Sequence, residues 1–333
     1  MLKRRPRGVW EIGLATFEAA WSGRSEHMPF WEEYPDALVE RIQFRAGGGL
    51  DWRLSALRTP RPRPAAWKIV VVTGAPSWAE YWSAALATIG PDREMVVVDR
   101  PGFGSSEPMD AVTDLVVQAK ALSPLLDAAP GQKVLLVGQS YGAAVATLMA
   151  AADPGRVHAL VLLSGLFGDM GPTATSLVEL GRRIHGVIPR DLRNAITEVL
   201  AQKPQLPVVC EALRGLAMPI HIIHGDADDF APIAAALAVA EDLADKPNVF
   251  FTPVPHANHF LNERPVELVL EPLEAVIAAA TPDGRARAPS FADWLLKLGE
   301  SLRAGLAGLA PHAPAEQAKS PSGLDGQGSA VGS

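Results

Sequence analysis

Short runs of almost purely apolar residues, each ending on a turn residue, constrain this chain more than any other feature. Ile69-Val70-Val71-Val72 ends at Thr73-Gly74, Met95-Val96-Val97-Val98 at Asp99, and Val134-Leu135-Leu136-Val137 at Gly138. Leu160-Val161-Leu162-Leu163 ends at Ser164-Gly165, and Ile220-His221-Ile222-Ile223 at His224-Gly225. A strand with one wet face alternates apolar and polar residues, so a strand apolar throughout must be covered on both faces. Helix-length segments separate the runs, at 78–89, 112–128 and 141–152. This alternation predicts an α/β fold: a mostly parallel central sheet with helices on both faces. In such sheets the functional site lies outside the carboxyl ends of the strands.

The rest of the chain is organised around that core. Residues 41–59, with Gly47-Gly48-Gly49 between two alternating stretches, read as an antiparallel hairpin at the sheet edge. The Pro-rich stretch 59–64 is a stiff connector. Residues 166–218 interrupt the alternation with a helical pattern broken by Pro172, Pro189, Pro204 and Pro207, and are expected to form a small helical cap. The core is thus expected over 41–165 and 219–282. Residues 1–40 are expected to form an N-terminal helical extension, residues 283–309 a C-terminal amphipathic helix, and residues 310–333, rich in Ala, Pro, Ser and Gly, a disordered tail. Trp10, Leu14, Phe17 and Trp21 make one helical stripe, and Phe291, Trp294, Leu295, Leu298 and Leu302 another. Three coverings are open for these stripes: the chain's own core, a second copy in a homodimer, or an anionic membrane surface met by Lys3, Arg4, Arg5 and Arg7.

Charge and cysteine usage narrow the function classes. The net charge is −7, with residues 1–70 carrying 12 Lys and Arg against 8 Asp and Glu. A chain acidic overall is not built to bind nucleic acid broadly. The single cysteine, Cys210, reads as a small apolar core residue, and no Cys or His spacing suggests a metal. Neither a metal nor an organic cofactor is expected. The basic start resembles a secretory signal, but Glu11 and Glu18 interrupt the apolar stretch that should follow. With no apolar run of membrane-spanning length, the expected location is the cytoplasm.

Gly138-Gln139-Ser140-Tyr141-Gly142 carries the chemistry. It follows a buried strand and opens a helix, the setting in which a serine sits on a tight, strained strand-to-helix turn. Gly138 and Gly142 keep the flanks small where strand and helix backbones meet. A serine hydroxyl is a weak nucleophile at neutral pH, so it needs a base, and the base needs an orienting acid. Of the histidines downstream, His158, His221 and His224 belong to strands, His185 to the cap and His312 to the tail. His256 and His259 remain, in the loop after the last strand, Val249-Phe250-Phe251. His259, just before Phe260-Leu261 and a helix start, is favoured over His256. The acid is expected at the end of the preceding strand, where Asp226, Asp228 and Asp229 cluster. Asp228 is the first choice and Asp226 the second, with a spare aspartate free to cap the helix starting near Pro232.

A tetrahedral intermediate also needs two backbone N–H donors for its oxyanion. The Tyr141 N–H is one. The loop Thr73-Gly74-Ala75-Pro76 supplies the other, and because Pro76 has no N–H, Ala75 is the candidate. The glycines of Asp99-Arg100-Pro101-Gly102-Phe103-Gly104-Ser105-Ser106 do not make a dinucleotide fingerprint: Pro101 breaks the run and no helix opens on them.

Taken together, these stretches resemble the α/β-hydrolase superfamily, in its branch of serine esterases, haloperoxidase-like enzymes and C–C hydrolases. Thr73–Pro76 matches the family's HGxP, Asp99–Ser106 its DxPGxGxS, and Gly138–Gly142 its elbow. Gly225–Asp228 and Asn258-His259-Phe260 match its GxxD and GHF. The resemblance covers roughly residues 40–280 and implies Asp228 as acid and His259 as base. Thr73 stands where the family has His, and Asn258 where it has Gly. The resemblance implies hydrolysis of a small carboxylic ester or related acyl substrate through an acyl-enzyme on Ser140. Acyl transfer or C–C hydrolysis on the same residues is the alternative within enzymes, and a non-catalytic binding protein is the alternative outside them. Aspartate-nucleophile relatives such as haloalkane dehalogenases are disfavoured by Ser140. Substrate choice is expected to lie in the cap, with Leu166, Phe167 and Leu177 as lining residues.

Overall fold

A computed structural model of the chain describes residues 37–263 and 265–281. Both terminal stripes, the tail and most of the N-terminal extension lie outside these residues. The strands are β1 (Glu40–Arg45), β2 (Arg53–Arg58), β3 (Trp67–Val72), β4 (Arg93–Asp99), β5 (Lys133–Gln139), β6 (Ala159–Leu163), β7 (Ile220–Gly225) and β8 (Val249–Val254). They form one sheet in the order β1-β2-β4-β3-β5-β6-β7-β8. From β4 to β8 all neighbours are parallel, while β2 pairs antiparallel with β1 and β4. The predicted hairpin is β1–β2, so the N-terminal extension gives way to the sheet at Glu40.

The helices are α1 (Ser83–Thr88), α2 (Leu115–Leu122), α3 (Gly142–Ala152), α4 (Pro172–Arg183), α5 (Arg190–Gln202), α6 (Leu206–Gly215), α7 (Ile233–Asp242) and α8 (Glu267–Ala279). The segments predicted as helices at 78–89 and 112–128 contain α1 and α2, each shortened by an adjoining 3-10 turn. Helices α4, α5 and α6 lie between β6 and β7 and make up the expected cap. Every residue of α3 from Gly142 to Ala150 is buried. Five alanines between its ends let it lie close on the sheet, and a helix covered on all sides has no need of a polar face.

The order β4-β3-β5 reverses the direction in which the sheet grows, which places a crevice at the ends of β3 and β5. Their parallel register pairs Val72 with Gly138. The loop at Thr73-Gly74 therefore leaves the sheet beside Ser140. Cys210, expected in the core, is half-buried at its edge.

Candidate active site

Ser140 sits at φ 53°, a left-handed conformation that costs a non-glycine residue about 1–3 kcal/mol. The neighbouring glycines show why the turn takes this form. A Cβ on Gly138 would lie 2.6 Å from Ala143 Cα, and one on Gly142 would lie 2.3 Å from the Val72 carbonyl oxygen. The Ser140 N–H donates to Leu163 O at 2.9 Å and fixes the turn against β6.

A continuous hydrogen-bonded chain runs from this serine. Ser140 Oγ lies 3.0 Å from His259 Nε2, and His259 Nδ1 lies 2.8 Å from Asp228 Oδ2. Both His259 and Asp228 are buried. Burial works to raise the Asp228 carboxyl. Hydrogen bonds from His224 and His259, electrostatic attraction from His259 and the backbone N–H of Ala231 outweigh it and hold the group well below the usual carboxylate range. An ionised carboxylate only accepts, so Nδ1 of His259 carries the proton and Nε2 is free to accept from Ser140. Phe230 stacks on the imidazole with ring centroids 5.4 Å apart, and Phe260 meets it edge-on.

The alternatives to these residues have other positions. His256 is exposed, at φ 57°, and its backbone N–H donates to Asp226 Oδ1 at 2.7 Å. Asp226 thus ties the β7 loop to the β8 loop and does not meet the imidazole of His259. Asp229 accepts from Thr173 at the start of α4. No aspartate caps the helix after Pro232, contrary to the sequence expectation: Asp228 Oδ1 accepts from Phe230 N and Ala231 N, just before it. The two loops also meet at Gly225, where a Cβ would lie 2.2 Å from the Ala257 carbonyl. Asn258, in place of the family's glycine, accepts from Phe260 N at 3.0 Å and turns the loop with its side chain.

The opposite wall is the β3 loop. A Cβ on Gly74 would lie 2.9 Å from Ser140 Cβ, so only glycine lets the loop pass the serine. Thr73, in place of the family's histidine, hydrogen-bonds Ser77 and the Val98 carbonyl and is fully buried. Among the described residues, neither the Ala75 nor the Tyr141 N–H is engaged by another backbone group. The Asp99 carboxylate at the end of β4 receives Ala79 N at 2.8 Å and Arg41 at 2.7 Å.

Several residues that join this arrangement had no motif to mark them. His224 Nε2 lies 2.7 Å from Ala231 O and 3.2 Å from Asp228 Oδ2, a second imidazole beside the carboxylate. Trp82 donates to Gln139, Gln139 to Asn262, and Asn262 to Tyr81 O, which ties the serine turn to the histidine loop. Of the expected cap lining, Leu166 and Phe167 are buried, and Phe167 belongs to the main core. Leu177 is 51% exposed on α4, so it faces solvent and not a covered pocket.

The fold and the sequence comparisons agree on the class. The family model described as the alpha/beta hydrolase fold matches residues 69–184. Over these residues the chain is similar to the α/β-hydrolase superfamily, and its sheet and helices have that fold. It is 34% identical over 101 residues to 2-hydroxy-6-oxononadienedioate/2-hydroxy-6-oxononatrienedioate hydrolase 1 of Dechloromonas aromatica (strain RCB), a match of 30% of this chain and 34% of that protein. The match therefore spans about a third of that relative's length. Similarity to 2-hydroxymuconate semialdehyde hydrolase of Pseudomonas sp. (strain CF600) runs over 207 residues at 27% identity, 51% of this chain and 72% of the relative. Among solved structures, carboxylesterase CesB from Bacillus subtilis superposes with a TM-score of 0.56 at 17% identity, covering 81% of this chain and 99% of that one. At that identity the likeness is one of fold. No helix among the described residues is long and apolar enough to cross a membrane.

Proposed function

We propose that the chain is a serine hydrolase that cleaves a small carboxylic ester or related acyl compound through an acyl-enzyme. The observation that carries this reading is the hydrogen-bonded run Ser140–His259–Asp228 on a strained turn. In the proposed reaction Ser140 Oγ attacks the substrate carbonyl carbon while His259 Nε2 takes its proton. Asp228 holds the imidazole in the required tautomer and stabilises the imidazolium. The N–H groups of Ala75 and Tyr141 receive the oxyanion. The imidazolium returns its proton to the leaving alcohol. Water then repeats the sequence on the acyl-enzyme, releasing the acid and restoring Ser140.

Hydrolysis of a C–C bond beside a carbonyl is the second reading, favoured by the names of the curated relatives. It uses the same residues and differs in the leaving group, a carbon that must take up a proton. Nitrophenyl esters of increasing acyl length, given to the wild type and to Ser140→Ala, test the first reading. The wild type should turn over the short esters, and Ser140→Ala should lose kcat on the order of a millionfold. Ester turnover absent from an active preparation that cleaves a hydroxy-oxo-dienoate would favour the second.

A further inference from the structure

Arg100 is fully buried, although it lies in the loop after β4 where a charged side chain could reach water. Each of its three guanidinium nitrogens donates inside the protein. Nε donates to Thr73 O at 2.9 Å and one terminal nitrogen to Gly74 O at 2.8 Å. The other terminal nitrogen donates to Gln118 Oε1 and to Glu198 Oε2, each at 2.7 Å. Glu198 belongs to cap helix α5 and is also fully buried, so this ion pair joins cap to core with no exposed atom at either side chain. Gln118 of α2 completes the set by donating to Glu198 Oε1 at 3.0 Å.

Both carbonyls that Arg100 grips belong to the β3 loop, and the second, Gly74 O, shares its peptide with the proposed Ala75 donor. The Gly74 carbonyl and the Ala75 N–H belong to one trans peptide and point in opposite directions. Fixing the carbonyl on Arg100 therefore fixes the direction of the Ala75 N–H, away from the guanidinium. The same guanidinium lies 4.5 Å from the ring centroid of Tyr141, the residue that carries the second donor. One cation is thus packed against the residues on both sides of the hole.

We propose that Arg100, held by Glu198, is a positioning residue for both oxyanion donors, and that cap helix α5 is thereby part of the apparatus that stabilises the transition state. This rests on the serine-hydrolase reading above. A cap acting only as a substrate lid would need no buried ion pair to an arginine that holds the β3 loop. Burying two charges is costly, and apolar side chains of similar volume serve stability as well or better. Geometry imposed on the loop is what such a pair supplies and a pair of apolar side chains does not.

The test uses the full chain with Arg100→Met, Glu198→Gln and the double variant Arg100→Met/Glu198→Leu, with nitrophenyl esters and a fluorophosphonate probe whose phosphoryl oxygen occupies the hole. Arg100→Met should lower kcat on the order of a hundredfold, as loss of an aligned oxyanion donor does, with KM within about threefold. The second-order rate of Ser140 labelling should fall in parallel. The single variants leave an unpaired buried charge and could lose fold as well as rate. The double variant removes both charges, so its melting temperature should recover while kcat and labelling rate stay low. Recovery of rate together with melting temperature would assign Arg100 a structural role and overturn the proposal. So would a drop in KM-dependent binding with kcat intact. Labelling of wild type at Ser140 with equal rates in all variants sinks this inference alone, whereas a wild type that never labels at Ser140 sinks the serine-hydrolase reading with it.

Discussion

The two long helices of the cap have almost the same length and opposite relations to the rest of the protein. Helix α4 buries only Gly181 and leaves Leu177 and Leu180 more than half exposed. Helix α5 buries Asp191, Asn194, Glu198 and Gln202, with Ala195 the sole apolar member of its buried set, while its Leu200 is 46% exposed. By amphipathic pattern alone α5 should sit the other way round. Its neighbours explain the inversion. Asp191 receives Trp78 Nε1 at 2.6 Å and Gly104 N at 2.9 Å, and Asn194 donates to the carbonyls of Gly102 and Met109. Gln202 donates to Leu166 O. The surface under α5 is made of loops, whose backbone groups need polar partners once water is excluded. A polar face is the one that can satisfy them. The difference teaches that burial follows what lies opposite: α5 meets the loops after β3 and β4 with a buried polar face, whereas α4 reaches the β7 loop through Thr173 in its first turn and leaves its apolar side chains in solvent.

The scale for that comparison is set in the core. Asp228→Asn should lower kcat on the order of ten-thousandfold, because an amide in place of the carboxylate would favour the wrong imidazole tautomer. Asp226→Asn, which touches only the His256 backbone N–H, should cost far less. Steady-state rates of the two variants check this, and an α4 substitution with an effect as large as Asp228→Asn would break the comparison outright.

A smaller effect sharpens the α5 side. Burial, opposed by Arg100 and Gln118, pushes Glu198 up to about 7 from the ordinary carboxylate value of 4.5. Folding therefore takes up a proton between those values. The contribution to stability is full below about pH 4.5 and is lost as pH rises through about 7. The Tyr141 phenol, raised by burial, stays neutral across this window. Glu198→Gln has no such proton to bind. The stability of the wild type relative to this variant should thus fall from pH 5 to pH 8 in thermal melts. A constant difference would show that Arg100 keeps the carboxylate ionised throughout.

The smallest effect belongs to α4. Leu177→Ser and Leu180→Ser should each change stability by about 0.5 kcal/mol or less, as exposed substitutions do, and leave kcat for a short ester unaltered. A rate change from either would place α4 at the active site after all.

How much of this was legible in the sequence divides along the same line. The sheet was readable because strands buried on both faces advertise themselves as apolar runs, and each predicted run lies within a strand. Ser140, His259 and Asp228 were readable because local backbone demands, a turn between glycines and loops at strand ends, leave short motifs. Arg100 stood in plain view within a quoted motif, yet nothing marked it as buried. Its partner Glu198 is 98 residues away and follows no local pattern. The same holds for Asn262, which meets Gln139 from the far loop. Leu177 faces solvent although its apolar character in the cap points inward, and the spare aspartates do not cap the helix near Pro232 because Asp226 holds the His256 N–H and Asp229 accepts from Thr173.

The most direct measurement of the central claim is to mix the enzyme with excess nitrophenyl acetate, quench in acid during the first turnover, and map the acetylated peptide by mass. The prediction is a burst of about one nitrophenol per active site, with the acetyl group on Ser140 and no acetylated species in Ser140→Ala. An acetyl group on another residue that turns over at the catalytic rate, or full turnover by Ser140→Ala, would contradict it.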